Sequence, residues 1–548
     1  MRRVLAATVG AWLAAWVVCW AVPASAQQGT TIAISTRAAE VSDVLLRGKQ
    51  LETERRWGDA LTHYEDAIHQ YPGDTGLQRR FELTRLHYDL GRRYADHSFA
   101  AALGNLPFEK SLDMYSQVLL KIQAHYVDAP KWRDLLTRGC DGIEVALSEP
   151  VFIEKHVPAR KRLAIEDFCR EVRKAMAART VNSRTDAREA VAAAARLAQQ
   201  RLEIRPTAVV LEYLCGASNM LDPYSTYLTP DQLNEVYAQI DGNFVGLGVE
   251  LKPQDGGLLI VRVIRGSPAE AGGLRANDQI VSINGQPVRA TSGDSAINAL
   301  QGEEGSVVQL SVVTRGAAPR QVTIRRRRID VPSVDQVGIV DSERGIAYLK
   351  ITCFQKTTAR DLDAALWRLH REGMKSLVID LRGNPGGLLV ASVEAVDRFV
   401  ERGTIVSTRG RSAQEDITYS AHSEGTWQVP LIVLIDQNSA SAAEIFAGAV
   451  RDHHRGTIVG VRSYGKGSVQ GIFPLEGYKA GVRLTTAKFY SPSGKPYSGV
   501  GVEPDVLVQR TARPIEGETT PGAGEEDAML AAALQAARNV PPSRQASR

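Results

Sequence analysis

The run LIVLID (431–436) passes within a few residues into NSASAAEIFAGAV. A continuous apolar run of this length fits a strand buried on both faces, and the next segment carries apolar residues at helical spacing. The chain must therefore turn from buried strand to helix almost at once. IAYLKI (346–351) and SLVIDL (376–381) read as two more buried strands, with the amphipathic helix ARDLDAALWRLHREG between them. Strand–helix–strand alternation of this kind demands a layered α/β domain over 331–510.

The 548 residues exceed what one core can organise, so several domains are expected. Residues 41–212 read as helix after helix. Gly48, Ala60, Tyr64, Ala67 and Pro72 fall at the small, small, aromatic, small and proline positions of a tetratricopeptide repeat (41–74). The competing reading is a plain amphipathic hairpin. The Ala- and Arg-rich helices of about 150–212 stand out as an insertion. Residues 219–240 read as a linker. From 241 to 330 the texture changes to short alternating strands separated by turns, a β-rich domain. Residues 511–548 read as a flexible tail, rich in Pro, Gly and Glu, with one short alanine-rich helix.

The first 26 residues have Arg2 and Arg3, an apolar stretch from Val4 to Val22, and Ala24-Ser25-Ala26 before Gln27. That is the pattern of a cleaved secretory signal; a retained membrane anchor is the alternative. Export to the periplasm or cell envelope follows, with membrane contact at most peripheral. Cys140, Cys169, Cys215 and Cys353 lie far apart after the signal and specify no pairing and no zinc site. A formal net charge of +4 on this length gives no argument for nucleic acid.

Spacing alone makes Ser441 a helix cap with Glu444 as its capping-box partner. Three considerations argue for more. The serine stands where a strand gives way to a helix on an α/β sheet, the usual location of such sites. A helix N-terminus offers free N–H groups to an oxyanion. Lys466, between two glycines in YGKGSVQG, is a candidate base. A lysine can take a proton only when neutral, so its pKa must fall from about 10.4 by burial, for which TIVGV and GIFPL could supply apolar walls. The bland reading of Lys466 is an exposed loop residue. A Ser-His hydrolase is the rival: His453 and His454 sit about three turns along the helix from Ser441, too far to serve, and His370 and His422 depend on the fold. No Gly-x-Ser-x-Gly elbow and no metal-spaced cluster occurs in the sequence.

The long motifs, taken in order, resemble the carboxy-terminal processing peptidases, or tail-specific proteases. NSASAAEIFAGAVRDHHRGTIVGVRSYGKGSVQ (438–470), VIDLRGNPGGLL (378–389) and RLTTAKFYSPSGKPYSGVGVEPDV (483–506) are similar to that family's motifs. LDPYSTYL (221–228) resembles the segment leading into its PDZ domain, and the β-rich 241–330 resembles the PDZ domain itself. The resemblance implies Ser441 as nucleophile, Lys466 as general base and Gln470 as the residue orienting it. It implies backbone amides of Ala442 and of Gly386 or Gly387 as the oxyanion hole, a structural role for Asp452, and no metal or organic cofactor. Val245, Gly246, Leu247 and Gly248 would form the carboxylate-binding loop of the PDZ groove, with a helix near 295–302 as its other wall. Relatives often carry arginine where Gln301 stands here, which leaves open how peptide binding reaches the active site.

The expected protein is a multidomain α+β chain: an all-helical N-terminal region with a tetratricopeptide-like hairpin, a β-rich PDZ-like domain and an α/β peptidase core. Its expected activity is serine endopeptidase action on proteins or peptides with exposed C-termini. Adaptor binding or self-assembly through the N-terminal helices is a further expectation. The alternative is a non-catalytic adaptor binding peptides through its PDZ-like and repeat-like modules.

Overall fold

The computed structural model describes residues 28–254, 256–288, 300, 302–314, 317–508 and 527–539. The expected signal segment, Gln301 and most of the expected groove helix near 295–302 lie outside them. The chain divides into two compact units, residues 1–88 and 89–548. Among the described residues no helix is long and apolar enough to cross a membrane. The four cysteines among the described residues are free.

In the first unit the helices Gln28–Thr53 and Trp57–Gln70 form a hairpin. Of the residues singled out at repeat positions, Ala60, Tyr64 and Ala67 are buried with Leu51, Tyr71 and Leu77, Gly48 is buried too, and Pro72 is exposed. The Tyr64 hydroxyl donates to Glu52 at 2.9 Å, so the ring is buried and its polar end satisfied.

The second unit is organised by a six-stranded sheet in the order Val334–Asp341, Ile346–Ile351, Ser376–Asp380, Leu431–Ile435, Gly456–Gly460, Val506–Leu507. The first pairing is antiparallel and the rest parallel. Both Ser376–Asp380 and Leu431–Ile435 are buried at every position, as their unbroken apolar runs require. Helices Thr358–Arg371, Leu389–Asp397 and Ala442–Asp452 share a core with one face. A second sheet is built around Gly481–Tyr490, which pairs with Ser468–Pro474, Gly403–Gly410 and the short Thr226–Leu228. The β-rich segment forms its own sheet, in which Val249–Gln254 lies at one edge, paired only with Gly257–Val263 among the described residues.

Three expectations change here. The helical region is not one body: its residues from 89 onward belong to the second unit. There the helices from Phe108 to Asn219 share one core with Tyr227, Val482 and Leu484 of the second sheet. Alanine-rich helices must bury their faces somewhere, and these bury them against each other and that sheet rather than forming an appended module. Residues 219–240 are not a plain linker. Thr226–Leu228 is a strand of the second sheet, and Pro230–Asp241 is a helix started by a Thr229/Gln232 capping box. Finally, the short alanine-rich helix expected in the tail is present as Ala528–Asn539, but it is packed: Ala533 and Ala537 are buried on the other face of the main sheet.

The helices Trp132–Ala146 and Pro206–Asn219 cross so closely that only glycine fits at their contact. A Cβ on Gly216 would lie 2.4 Å from the Arg138 carbonyl oxygen, a backbone atom that cannot move alone. Gly216→Ala is expected to cost about 1–3 kcal/mol by overpacking, read as a lower denaturant midpoint with an unchanged m-value.

Candidate active site

The strand Leu431–Ile435 ends at Asp436, and a turn follows before the helix Ala442–Asp452. Asp436 and Ser439 build that turn. The Ser439 hydroxyl donates to the Leu381 carbonyl (2.8 Å) and accepts from the Asp436 amide (2.9 Å). Asp436 Oδ1 accepts from the amides of Asn438 and Gly383, each at 3.0 Å. Ser439 is fully buried and serves the turn; Ser441 remains partly accessible.

Ser441 stands at the helix N-cap with φ 56° and ψ −114°. A non-glycine residue there is strained, and such strain persists only where the surroundings impose it. The Glu444 side chain accepts from the Ser441 amide at 2.7 Å, one half of a capping box. The other half is altered. The Glu444 amide lies near the Ser441 side chain, but it donates to the Ser441 carbonyl at 2.9 Å and the hydroxyl makes no cap bond. The hydroxyl is thereby left for other work.

Glu444 does more than the spacing suggested. It is fully buried, and its carboxylate also accepts from the Ser463 hydroxyl (2.6 Å), the Gly465 amide (2.6 Å) and the Lys466 amide (2.8 Å). The amides of Ser441 and Lys466 meet the same oxygen, at 2.7 and 2.8 Å, so their nitrogens lie no more than about 5.5 Å apart. Burial raises the carboxyl pKa, and the four donated bonds pull it back.

The Lys466 side chain is half-buried, and its Nζ lies 4.7 Å from the centroid of the Tyr224 ring. That ring comes from the segment expected to be a linker. It is held there because Arg483 donates to the Tyr224 carbonyl at 2.9 Å and Thr226–Leu228 pairs with Gly481–Arg483. Burial first, and then the like charge of Arg483, bring the lysine down to about 8, against the opposing pull of Glu444 and Asp222. Among the described residues no hydrogen bond joins the Ser441 hydroxyl to Lys466.

Gln470 departs from its expected place. Its side-chain amide donates to the Ser468 carbonyl (3.0 Å) and hydroxyl (2.8 Å), and not to the lysine loop. A β-bulge lies beside it: Val469 pairs with Ala487 but Gln470 with Thr485, leaving Thr486 as the extra residue of the partner strand. Ser468 stands two residues back on the same strand and the same face, so the bond is a local one.

The structure also separates the two glycines expected at the oxyanion hole. The Gly386 amide already donates to Asn384 Oδ1 at 2.8 Å. Gly386 instead gives close approach: a Cβ there would fall 2.8 Å from the Ala440 carbonyl oxygen and 2.9 Å from the Ala442 nitrogen. Among the described residues the amides of Ala442 and Gly387 have no acceptor. Of the four groove residues, Val245 and Gly246 are paired in a strand with Arg328 and Arg327. Leu247 and Gly248 lead into the edge strand Val249–Gln254, their carbonyls accepting from Ala269 and Ile264 at 2.8 Å each. Asp452 holds the Ser491–Ser493 turn. His422 is exposed and bonded to Asp397, and His453 bonds the Thr404 carbonyl, so neither contacts Ser441.

Residues 345–508 match Peptidase family S41, and residues 239–313 match the PDZ domain. A carboxy-terminal-processing protease of Bartonella bacilliformis is 37% identical over 296 residues, 53% of this chain and 67% of that one. A probable CtpA-like serine protease of Staphylococcus aureus is 32% identical over 292 residues, 52% of this chain and 57% of the other. The match thus spans about two thirds of one relative and little more than half of the other. The solved structure of a photosystem II D1 C-terminal processing protease overlaps 73% of this chain and 92% of its own, at 24% identity and a TM-score of 0.39. These sequence matches define a serine-type peptidase carrying a PDZ domain. The chain belongs to the carboxy-terminal-processing protease family of S41 peptidases.

Glu444→Gln keeps the shape but turns an NH2 group toward N–H and O–H donors. It is expected to lower kcat about tenfold or more and to lower the melting temperature, because buried donors lose their acceptor and the two loops part. Wild-type kcat with an unchanged melting temperature would show that the carboxylate bridge is dispensable.

Proposed function

We propose that this peptidase cuts peptide bonds with a Ser441/Lys466 dyad through an acyl-enzyme. The observation that carries the reading is the Glu444 carboxylate oxygen shared by the backbones of both residues, at 2.7 and 2.8 Å. It joins a strained, uncapped serine to a lysine whose pKa burial has lowered. Neutral Lys466 takes the Ser441 proton as the oxygen attacks the scissile carbonyl. The amides of Ala442 and Gly387 bond the oxyanion, assisted by the partial positive charge of the helix N-terminus. The lysine ammonium then protonates the leaving amine, and water, deprotonated in turn by Lys466, releases the acyl group. Gln470 would orient Lys466 only after leaving Ser468, so the arrangement described is read as a resting one.

The substrates we propose are protein chains with exposed C-termini. An extended tail would add to the edge strand Val249–Gln254, with its carboxylate at the Leu247–Gly248 amides. The N-terminal apolar segment supports export to the cell envelope, and the hairpin of the first unit would bind a partner or a second copy.

Two experiments test this reading. In cleavage of a protein with an unstructured C-terminal tail, Ser441→Ala and Lys466→Ala are each expected to lower kcat by at least about a thousandfold. Equal cleavage by wild type and both variants would exclude the dyad. The pH dependence has a fixed sign. A lysine lowered to about 8 is protonated and idle below that pH and neutral above it. The rate should climb about tenfold per pH unit up to about 8 and then level off. A profile flat from pH 5 to 10 would rule out a lysine base.

A further inference from the structure

The main sheet has two faces. One packs against the helix that begins after Ser441. The other carries Ile346, Tyr348, Val378 and Leu434, and is covered by the helix Ala528–Asn539. That helix is tied down at both ends by ion pairs: Asp527 with Arg382 at 2.8 Å, and Arg538 with Asp341 at 3.2 Å. Only the first touches the corner that follows the strand Ser376–Asp380. Arg382 also grips the buried Asp380 through Nε and Nη2, at 2.6–3.0 Å, and Asp380 accepts from the Tyr348 hydroxyl at 2.8 Å.

The residues around Arg382 are bonded one after another to the turn that carries Ser441. Leu381 accepts from the Ser439 hydroxyl (2.8 Å), Gly383 donates to Asp436 (3.0 Å), and the Asn384 carbonyl accepts from the Ala440 amide (2.9 Å). We propose that Asp527 is a positioning residue for the peptidase reaction. Through Arg382 it fixes the 380–384 corner, and the corner fixes the turn and with it Ser441. The helix beyond residue 526 is then part of the active site's support as well as a cover for apolar surface. This proposal rests on the reading of Ser441 as the nucleophile.

The pair is partly exposed, so removing it should leave the fold intact while loosening the corner. The test uses the full chain as wild type, Asp527→Asn, Asp527→Glu and Arg538→Gln. It reads kcat and KM on an unstructured-tail substrate, the melting temperature, and hydrogen exchange of the Ala440 amide in a Ser441→Ala background. Asp527→Asn is expected to lower kcat about fivefold at unchanged KM and to speed Ala440 exchange, since small misplacements of a nucleophile are costly. Asp527→Glu should restore both. Arg538→Gln, which loosens the same helix at its other end, should leave both at wild-type values. Asp527→Asn indistinguishable from Arg538→Gln in kcat and in Ala440 exchange would overturn the proposal. Lys466→Ala in the same assay separates the two claims: full activity there would defeat the dyad, while Ala440 exchange would still decide the role of Asp527.

Discussion

The site depends on one buried carboxylate. Glu444 gathers donors from three places: the N-cap serine, Ser463, and the glycine–lysine loop. An ionised group removed from water is costly unless its lone pairs are used, and here four donors use them. Glutamate suits the position on two counts. It stands at N3, where its carboxylate reaches back to the N-cap amide and favours the positive end of the helix. An amide in its place would offer one acceptor oxygen where two are engaged. The same charge lies near Lys466 and favours the ammonium form. A neutral lysine therefore needs the opposing effects of burial and Arg483, so structural support and the basicity proposed for Lys466 pull in opposite directions.

Ser441 is held in a backbone conformation it would not choose. The turn before it is fixed by Asp436 and Ser439, and the helix after it is fixed by the Ser392 hydroxyl donating to the Ala442 carbonyl at 2.7 Å. With both flanks over-determined, the positive φ is paid once by the fold and the hydroxyl is left uncapped. The close approach of Gly386 to Ala440 and Ala442 brings the Gly-Gly loop against the same turn.

Much of this was legible in the sequence, and the misses have definite causes. Unbroken apolar runs identified the buried strands, and the abrupt passage into a helix located Ser441. Glu444 was visible only as a cap partner, because an i,i+3 spacing reads the same whether the carboxylate serves one amide or four groups. Tyr224 precedes Lys466 by more than two hundred residues and meets it through a three-residue strand too short to announce a pairing. Which neighbour the Gln470 amide bonds, here Ser468 two residues back, is not written in any local pattern. Alanine-rich helices declare that they are buried without saying against what, so residues 150–212 read as an insertion although they complete a core shared with the second sheet.

The corner from Asp380 to Leu388 is where separate parts of the second unit converge. On one side the helix after residue 526 reaches it through Arg382. In the middle it is bonded to the Ser441 turn. At its far end Gly386 and Leu388 bracket Phe354: the Phe354 amide donates to Gly386 (2.8 Å), and its carbonyl accepts from Leu388 (2.7 Å). The next residue, Gln355, is buried and donates to the Val331 carbonyl at 2.6 Å, while Val331 donates to Gly242 at 2.9 Å. Gly242 and Val331 flank the β-rich segment at its entry and exit, so that segment's two connections meet one residue from Phe354, which Gly386 and Leu388 bracket. An α/β sheet places its chemistry at the carboxyl ends of its strands. Here those ends are also where the distant parts of the second unit are tied together, so a change in any of them bears on the geometry around Ser441.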